Sequence, residues 1–380
     1  MNIPIQIKYS ILVLVILLCN SCIEPFDANF RVEDSIIVVD GNLTDSENGN
    51  YVSLKRSVPS GSATSNFSNI LDATVELLID NKNIIILKHR INGIYDFPEG
   101  FKAENGHSYQ LKFSLSNGSI YSSLEQEING VTPIISVKQE FRKDIDLYGK
   151  EVPGHKIYLT SDEPAGKGNA YYWSYRLFES ENYCLSCFGG TLKREVNNTV
   201  SCEFNQAATD GGITYDYNCD KQCWRIFYSE DLNAMNDAFV DGKGIIDRLI
   251  AAIPYYNKEG ALLEIKQHAL DDQAYKYIKL LIDQNQNSGS LADTPSTALN
   301  GNIRSLTNPT ESIGGYFLVS SVSTVNYFIK RDDVPSNIKP IGFVAGRIRT
   351  LQPAAISPPQ APCINGRFMT PFQPENWISQ

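Results

Sequence analysis

The sequence predicts a mainly β protein, with an N-terminal immunoglobulin-like β-sandwich followed by a larger β-rich domain with a few helices. The 380-residue chain contains 20 Tyr and only 3 Met, and aromatic residues favour pleated, half-buried surfaces. Short segments of alternating apolar and polar residues follow one another closely, with turn residues between them. The chain length allows two or three domains. These observations exclude a disordered chain, a collagen-like repeat and a coiled coil.

Residues 33–128 are predicted to form the β-sandwich domain. Tyr109, Leu111 and Phe113 alternate with polar residues, and Asn117-Gly118 supplies a hairpin turn directly afterwards. Several short strands at such spacing indicate a sandwich. The predicted strands of this domain are 35–41, 51–56, 73–79, 84–89, 108–115 and 119–124.

Residues 131–380 are predicted to form the second domain, after a hinge at 130–133 where Gly and Pro interrupt the strand pattern. Two segments, 229–240 and 244–253, are predicted as short helices. Asp271 is a candidate N-cap for a helix near 271–285, whose apolar stripe is predicted to pack on a sheet rather than on a cofactor. In segment 261–268, Glu264 and Lys266 occupy one face, and Leu263 and Ile265 the other. The predicted strands are 134–141, 155–161, 169–178, 261–268, 315–322 and 324–330.

The N-terminus is predicted to carry an export signal. Residues 11–18 are an unbroken apolar run, which is too short to span a bilayer and typical of a signal peptide. The run ends at Cys19-Asn20-Ser21-Cys22, which resembles the lipobox of bacterial lipoproteins. Residues 1–21 are therefore predicted to be removed, with Cys22 lipidated and residues 22–32 acting as a tether. The alternative is an ordinary secretory signal with a chance Cys.

Six further cysteines are predicted to form disulfides, because an even number of cysteines in an exported chain indicates oxidised pairs. Their connectivity is left open by the sequence, although one pair is expected to tie the C-terminal tail to the body. The spacing of the pairs 184/187 and 219/223 also permits a zinc site, but the gap between these pairs is longer than usual. The candidates are Cys184, Cys187, Cys202, Cys219, Cys223 and Cys363.

The sequence contains no catalytic, cofactor or metal motif, so the protein is predicted not to be an enzyme. A nucleophile elbow, a phosphate-binding loop and a dinucleotide-binding loop are all absent from it. His89, His107, His155 and His268 are scattered and lack metal-ligand spacing. The adjacent pairs Asp271-Asp272 and Asp332-Asp333 are typical of caps and turns. Asp40-Gly41 and Asp241-Gly242 do not continue into a calcium loop. The net charge of −10 argues against nucleic-acid binding.

Several segments follow one another in a recognisable order: the strand at 36–41, Tyr51-Val-Ser-Leu-Lys-Arg-Ser, Asn105-Gly-His-Ser-Tyr-Gln-Leu, Tyr171-Tyr-Trp-Ser-Tyr, the run from Ala274 to Phe317, and Pro374-Glu-Asn-Trp377. This order resembles the DUF4249 family. Members are uncharacterised lipoproteins of the Bacteroidota, generally found beside TonB-dependent transporters.

The resemblance implies a lipid-anchored accessory or ligand-capturing protein of the outer membrane. The acidic residues 23–27 are similar to surface-export signals of that phylum and favour the extracellular face, with the periplasmic face as the alternative. The Cys-rich segment, residues 184–223, is a candidate contact surface. A structural or adhesive surface protein and, after it, a hydrolase with dispersed carboxylates are the competing hypotheses.

Overall fold

The computed structural model describes residues 35–58, 67–128, 130–166, 168–195, 199–286, 301–344, 348–354 and 356–378. The prediction of a mainly β protein is confirmed, whereas an immunoglobulin-like arrangement is not. Within these ranges, neither α-helix has the length and apolar character that a membrane crossing requires. The signal segment, Cys19, Cys22 and the tether lie outside the described residues.

Strands account for most of the regular structure. Those before residue 130 are β1 Ile37–Thr44, β2 Tyr51–Ser57, β3 Phe67–Asn69, β4 Thr74–Ile79, β5 Asn83–Ile91, β6 Ile94–Asp96, β7 Ser108–Ser114, β8 Ile120–Ser123 and β9 Gln126–Glu127. Those after it are β10 Ile134–Leu147, β11 Lys150–Ser161, β12 Ala170–Ser180, β13 Tyr183–Phe188, β14 Gly190–Arg194, β15 Val200–Phe204, β16 Thr214–Asn218, β17 Trp224–Tyr228, β18 Asn233–Asn236, β19 Ile245–Pro254, β20 Ala261–Leu270, β21 Ile303–Ser305, β22 Ile313–Ser320, β23 Val322–Ile329 and β24 Met369–Thr370.

The first sheet is nearly closed into a barrel. Its path runs β21-β8-β7-β4-β5-β6-β2-β1-β22, and its two end strands, β21 and β22, lie against each other. The Asn302 side chain helps to join them, because its amide donates to the Phe317 carbonyl and accepts from the Phe317 N–H, both at 2.9 Å. The sheet therefore includes two strands from outside residues 33–128, and its interior is the first hydrophobic core.

The second core lies between two packed sheets. The three-stranded sheet β10-β11-β19 faces the larger sheet β23-β20-β12-β17-β24, in which β18 also pairs with β12. Ile157 and Leu159 of β11 pack against Trp173 of β12 and Leu263 and Ile265 of β20. The alternation predicted for 261–268 is confirmed, since Leu263 and Ile265 are buried and Glu264 and Lys266 point to the other side.

Two predicted helices are wrong. The segment predicted as a helix over 229–240 contains strand β18 and the short 3₁₀ turn Asp237–Phe239, and the segment 244–253 forms strand β19. Apolar runs of about ten residues do not distinguish a helix from a buried strand by periodicity alone. Here β19 pairs with β11 and β18 pairs with β12. These pairings favour strands, because they satisfy backbone N–H and C=O groups at the sheet edges that would otherwise be buried without partners.

The predicted helix near 271–285 is confirmed. It is α2, Asp272–Gln286, while α1 is the single-turn helix Gln206–Asp210. The Asp271 side chain caps α2 by accepting the Ala274 N–H at 2.6 Å. The inner face of α2 packs against strands of both sheets, with Ala274 and Ile278 near Ala170 of β12 and Tyr316 of β22.

A crossing at Ser321 connects the barrel-like sheet directly to the pair of packed sheets. We call these two parts of the structure the first body and the second body. Strand β22 ends at Ser320 in the first sheet, and β23 begins at Val322 in the second. Ser321 is buried and its carbonyl accepts the Ala269 N–H, while the next N–H, that of Val322, donates to Asp45 at 2.8 Å. The chain thus leaves no flexible linker at this point.

Three disulfides hold the Cys-rich segment and the C-terminal tail. They join Cys184 to Cys219, Cys187 to Cys202 and Cys223 to Cys363. The last pair ties the tail back to the body, as the sequence predicted. Strands β13 with β16 and β14 with β15 form two small ladders within the segment, around a minor core of Cys187, Tyr217 and Ala361. All six candidate cysteines are therefore paired in disulfides, as predicted, and do not form the alternative zinc site.

Gly315 provides a test of the barrel closure. Its φ is +94°, and an added Cβ would lie 1.8 Å from the Val39 carbonyl oxygen of the neighbouring strand. We expect Gly315→Ala to lower the free energy of unfolding by at least about 3 kcal/mol, from backbone strain plus overpacking. Gly118→Ala is the control, because its φ is +86° but nothing lies within 4 Å of the added Cβ. Equal losses of unfolding free energy for Gly315→Ala and Gly118→Ala, measured by urea unfolding, would contradict the predicted clash with Val39.

The disulfides provide a second test. The Cys223–Cys363 bond closes a loop of 140 residues, whereas Cys187–Cys202 closes one of 15 residues inside the loop of Cys184–Cys219. Loop-closure entropy predicts a loss of about 5 kcal/mol for the double variant C223S/C363S and at most about 3 kcal/mol for C187S/C202S. Non-reducing urea unfolding measures both. A larger loss for the short loop would contradict this order.

Candidate functional site

The most polar part of the interior is a chain of four side chains. Arg331 donates to Glu179 at 2.8 Å and to Nδ1 of His155 at 2.9 Å, and Nε2 of His155 lies 2.8 Å from Asp333. Because arginine only donates, His155 must accept at Nδ1 and carry its proton at Nε2. Asn257 also donates to Glu179.

These four hydrogen-bonded side chains have a structural role. Burial raises the pKa of Glu179 to about 7, against the opposing charge of Arg331, and burial lowers the pKa of His155. Glu179 and His155 are fully buried and Arg331 nearly so. The groups join β11, β12 and the turn after β23, so they link the two packed sheets. The predicted turn residue Asp333 lies in that turn and accepts a hydrogen bond from Nε2 of His155.

The other histidines do not converge. His268 is buried and bonds to Ser320 at 3.0 Å, and burial lowers its pKa to about 3. His107 is paired with Asp80, whose hydrogen bond raises the pKa of the histidine. His89 lies beside the Tyr95 ring. Asp241, predicted not to start a calcium loop, accepts the Gly166 N–H.

The outer face of the larger sheet carries a concentrated set of polar and aromatic groups. Residues at alternate positions of β12 and β20 point away from the core, and the register places them opposite one another: Tyr172 with His268, Ser174 with Lys266, and Arg176 with Glu264. Most of these side chains are only partly exposed. The face therefore presents functional groups on rigid strands, close to neighbouring parts of the chain.

The first sheet meets this face at Asp40 and Tyr51. The Tyr51 hydroxyl donates to Asp40 at 3.0 Å. Asp40 keeps solvent contact but is crowded by protein, and this desolvation raises its pKa although Tyr51 and Arg367 oppose the change. Burial, followed by the charge of Asp40, raises the pKa of Tyr172. Asp40 is the register partner of Tyr316 on β22, and Tyr316 and Tyr172 pack against the same apolar cluster. Tyr172, Asp40 and Tyr51 therefore lie at one junction.

The C-terminal tail borders the opposite side. The Arg367 guanidinium lies 5.5 Å from the centre of the Tyr228 ring, and the Tyr228 hydroxyl donates to the Arg367 carbonyl. Tyr228 of β17 is the cross-strand partner of Arg176, which binds Glu264 through two hydrogen bonds of 3.0 and 2.8 Å. We call the resulting surface the tyrosine face; it comprises Asp40, Tyr51, Tyr172, Ser174, Arg176, Tyr228, Glu264, Lys266 and Arg367.

Lys266 lies near the middle of the tyrosine face. Its ammonium reaches the β1–β2 turn, where a Cβ on Gly49 would lie 3.7 Å from Nζ. Burial lowers its pKa, with Glu264 opposing and Arg176 reinforcing that shift. Tyr172 packs against the apolar cluster beneath α2 and is only partly exposed. The tyrosine face can therefore contact a flat or apolar ligand surface with the exposed parts of its tyrosine rings and bind the polar groups of the ligand with charged side chains.

A depression lies beside the Cys184–Cys219 disulfide, at the edge of the Cys-rich segment. Its one carboxylate, Glu181, already binds Arg225 at 2.6 Å and the Tyr183 N–H at 2.8 Å. Since this carboxylate is already paired, the depression offers a ligand fewer free charged groups than the tyrosine face does. Its other lining residues are Asn182, Asn218, Lys221 and Gln222.

Sequence reasoning did not identify the tyrosine face. The alternation in 261–268 correctly separated Lys266 and Glu264 from the core side, but their partners come from β12, β17, the first sheet and the tail. Only Tyr171-Tyr-Trp-Ser-Tyr gave a local signal, because adjacent aromatic residues there, Tyr171 and Tyr172, point to opposite sides of one strand.

Comparison with known proteins gives one match. The family model described as a domain of unknown function, DUF4249, matches residues 23–326. No curated protein matches the chain. No solved structure matches it either.

His268 provides a test of the electrostatics behind the tyrosine face. Because its folded-state pKa is about 3 and the ordinary value is about 6.5, the unfolded chain takes up the extra proton as the pH falls below 6.5. Wild-type stability should therefore drop by about 2 kcal/mol between pH 7.5 and 5.0 from this group. We expect His268→Gln to be less stable than wild type at pH 7.5, with a difference that shrinks by this amount at pH 5.0.

His107→Gln is the control for this measurement, because Asp80 raises the pKa of His107. Its difference from wild type should not shrink as the pH falls, since a raised pKa stabilises the fold at low pH. Urea unfolding at both pH values measures these differences. If the difference in free energy of unfolding between wild type and His268→Gln is the same at both pH values, the lowered pKa of His268 is contradicted.

Proposed function

This chain belongs to the DUF4249 family, and we propose that it is a lipid-anchored outer-membrane lipoprotein that captures a ligand for a TonB-dependent transporter. The tyrosine face is the observation that carries the ligand-capturing part. It combines aromatic rings, two ion-paired charges and a half-buried ammonium on strands held by two packed bodies. Binding sites on such rigid elements present their groups in a fixed geometry.

The sequence supplies the anchor. Cys22 follows a signal-like apolar run and stands where a lipobox cysteine receives its diacylglycerol. Residues 22–32 are the proposed tether. The acidic residues 23–27 favour the extracellular face of the membrane over the periplasmic face.

The Cys-rich segment is the proposed contact with the transporter. Disulfides hold its two small ladders, which have only a minor core of their own. Phe188 and Phe204 project from it with 76% and 68% of their areas exposed. The backbone bond from Asn205 to the Gly189 carbonyl brings their strand ends together. Exposed aromatic rings on a rigid support are typical anchors of protein interfaces.

A mild-detergent pull-down of the tagged lipoprotein from its own outer membrane tests the proposal. Mass spectrometry should find a stoichiometric TonB-dependent transporter with the wild type. With the double variant F188S/F204S the amount of recovered transporter should fall at least about tenfold, because truncating aromatic residues that the interface buries costs more than about 1.4 kcal/mol of binding free energy. Phe372→Ser is the matched control, since Phe372 is as exposed as Phe204, at 68%, but lies on the tail.

Two outcomes would overturn parts of this proposal. A clean, partnerless lipoprotein would remove the transporter and favour a free-standing structural or adhesive surface protein. A Cys22→Ser variant that still partitions with the membrane would remove the lipid anchor.

A further inference from the structure

The charges of the tyrosine face do not balance. Arg176 and Glu264 neutralise each other through a bidentate pair, and Asp40 faces Arg367 across the junction. Lys266 remains as an ammonium without a direct hydrogen bond or ion pair among the described residues. A local positive charge in a protein of net charge −10 points towards an anionic partner.

The surroundings of Lys266 are suited to a ligand rather than to bulk water. Its cross-strand neighbours Ser174 and Thr324 are hydroxyl residues, which can donate to an anion held at the ammonium. The β1–β2 turn at Gly49 covers Nζ from the first body. Leaving an ammonium partly desolvated and unpaired costs free energy, which a bound anion would recover.

Tyr172 stands beside this position. It is opposite His268, and Ser174 is opposite Lys266, so Tyr172 and Lys266 are diagonal neighbours on one side of the sheet. Such neighbours are roughly 7–8 Å apart, which fits an acidic group attached to a ring. Tyr51, whose hydroxyl binds Asp40, adds a second ring at the same junction.

We propose that Lys266 is the anion-binding residue of the tyrosine face, and that the captured ligand is a small aromatic acid whose ring lies against the exposed part of Tyr172. This inference rests on the ligand-capturing part of the proposed function. The carboxylate pairs with the ammonium and accepts from Ser174 or Thr324, while the ring displaces water from the tyrosine surface.

Nuclear magnetic resonance of the full mature chain, with its lysines ¹³C-dimethylated, tests the assignment. The Lys266 signal is identified as the one missing from Lys266→Arg. Benzoate should shift this signal saturably, with a dissociation constant on the order of 1 mM. Benzyl alcohol has the same ring without the charge and should leave it unmoved. Lys279 is the internal control, because it is exposed on α2 and paired with Asp283.

Equilibrium dialysis with labelled benzoate then separates charge from packing. Lys266→Met should weaken binding at least about tenfold, and Lys266→Arg less than about threefold, because a charge-assisted bond is lost only in the first. Inorganic phosphate should bind more weakly than benzoate, since it lacks the ring. Unchanged circular dichroism confirms that the variants fold.

The outcomes distinguish this inference from the function it rests on. Equal binding of benzyl alcohol and benzoate would overturn the anion assignment and leave ligand capture intact. Preference for phosphate would overturn the role of Tyr172. No binding of any of the three, with a transporter still present in the pull-down, would overturn the inference and retain the accessory role.

Discussion

The architecture depends on the crossing at Ser321, where one buried residue separates a strand of the barrel-like sheet from a strand of the second sheet. The hydrogen bonds around it leave no room for a hinge, because the Ser321 carbonyl and the Val322 N–H are bonded to different bodies. Helix α2 reinforces the junction by packing on strands from both. The tyrosine face exists because this junction keeps Asp40 and Tyr51 beside β12.

The interior and the tyrosine face use ionisable groups in opposite ways. Glu179, Arg331, His155 and Asp333 are joined in an open series of hydrogen bonds, and breaking the buried Arg331–Glu179 pair would leave a buried charge unpaired. Among the described residues Lys266 has no such partner, although it is partly buried. A fold that pairs its buried charges elsewhere makes an unpaired ammonium informative, because stability alone does not account for it.

The Cys-rich segment shows how an exported protein stabilises a region without a substantial core. Its ladders are short, its apolar cluster is small and two aromatic rings face solvent. Disulfides compensate by restricting the unfolded chain. The same arrangement leaves exposed rings available for a partner, which a self-sufficient domain would bury.

The sequence by itself determined the β class, most strand positions, the cap at Asp271 and the oxidised state of the cysteines, because alternation, capping and cysteine count are local properties. It did not determine the strand at Ile245–Pro254, whose apolar run suits a helix equally well until β11 pairs with it. Nor did it determine the closure of the barrel by residues 303–320 or the assembly of the tyrosine face. Those features join residues more than a hundred positions apart, and only tertiary packing selects such contacts among the alternatives that local patterns allow.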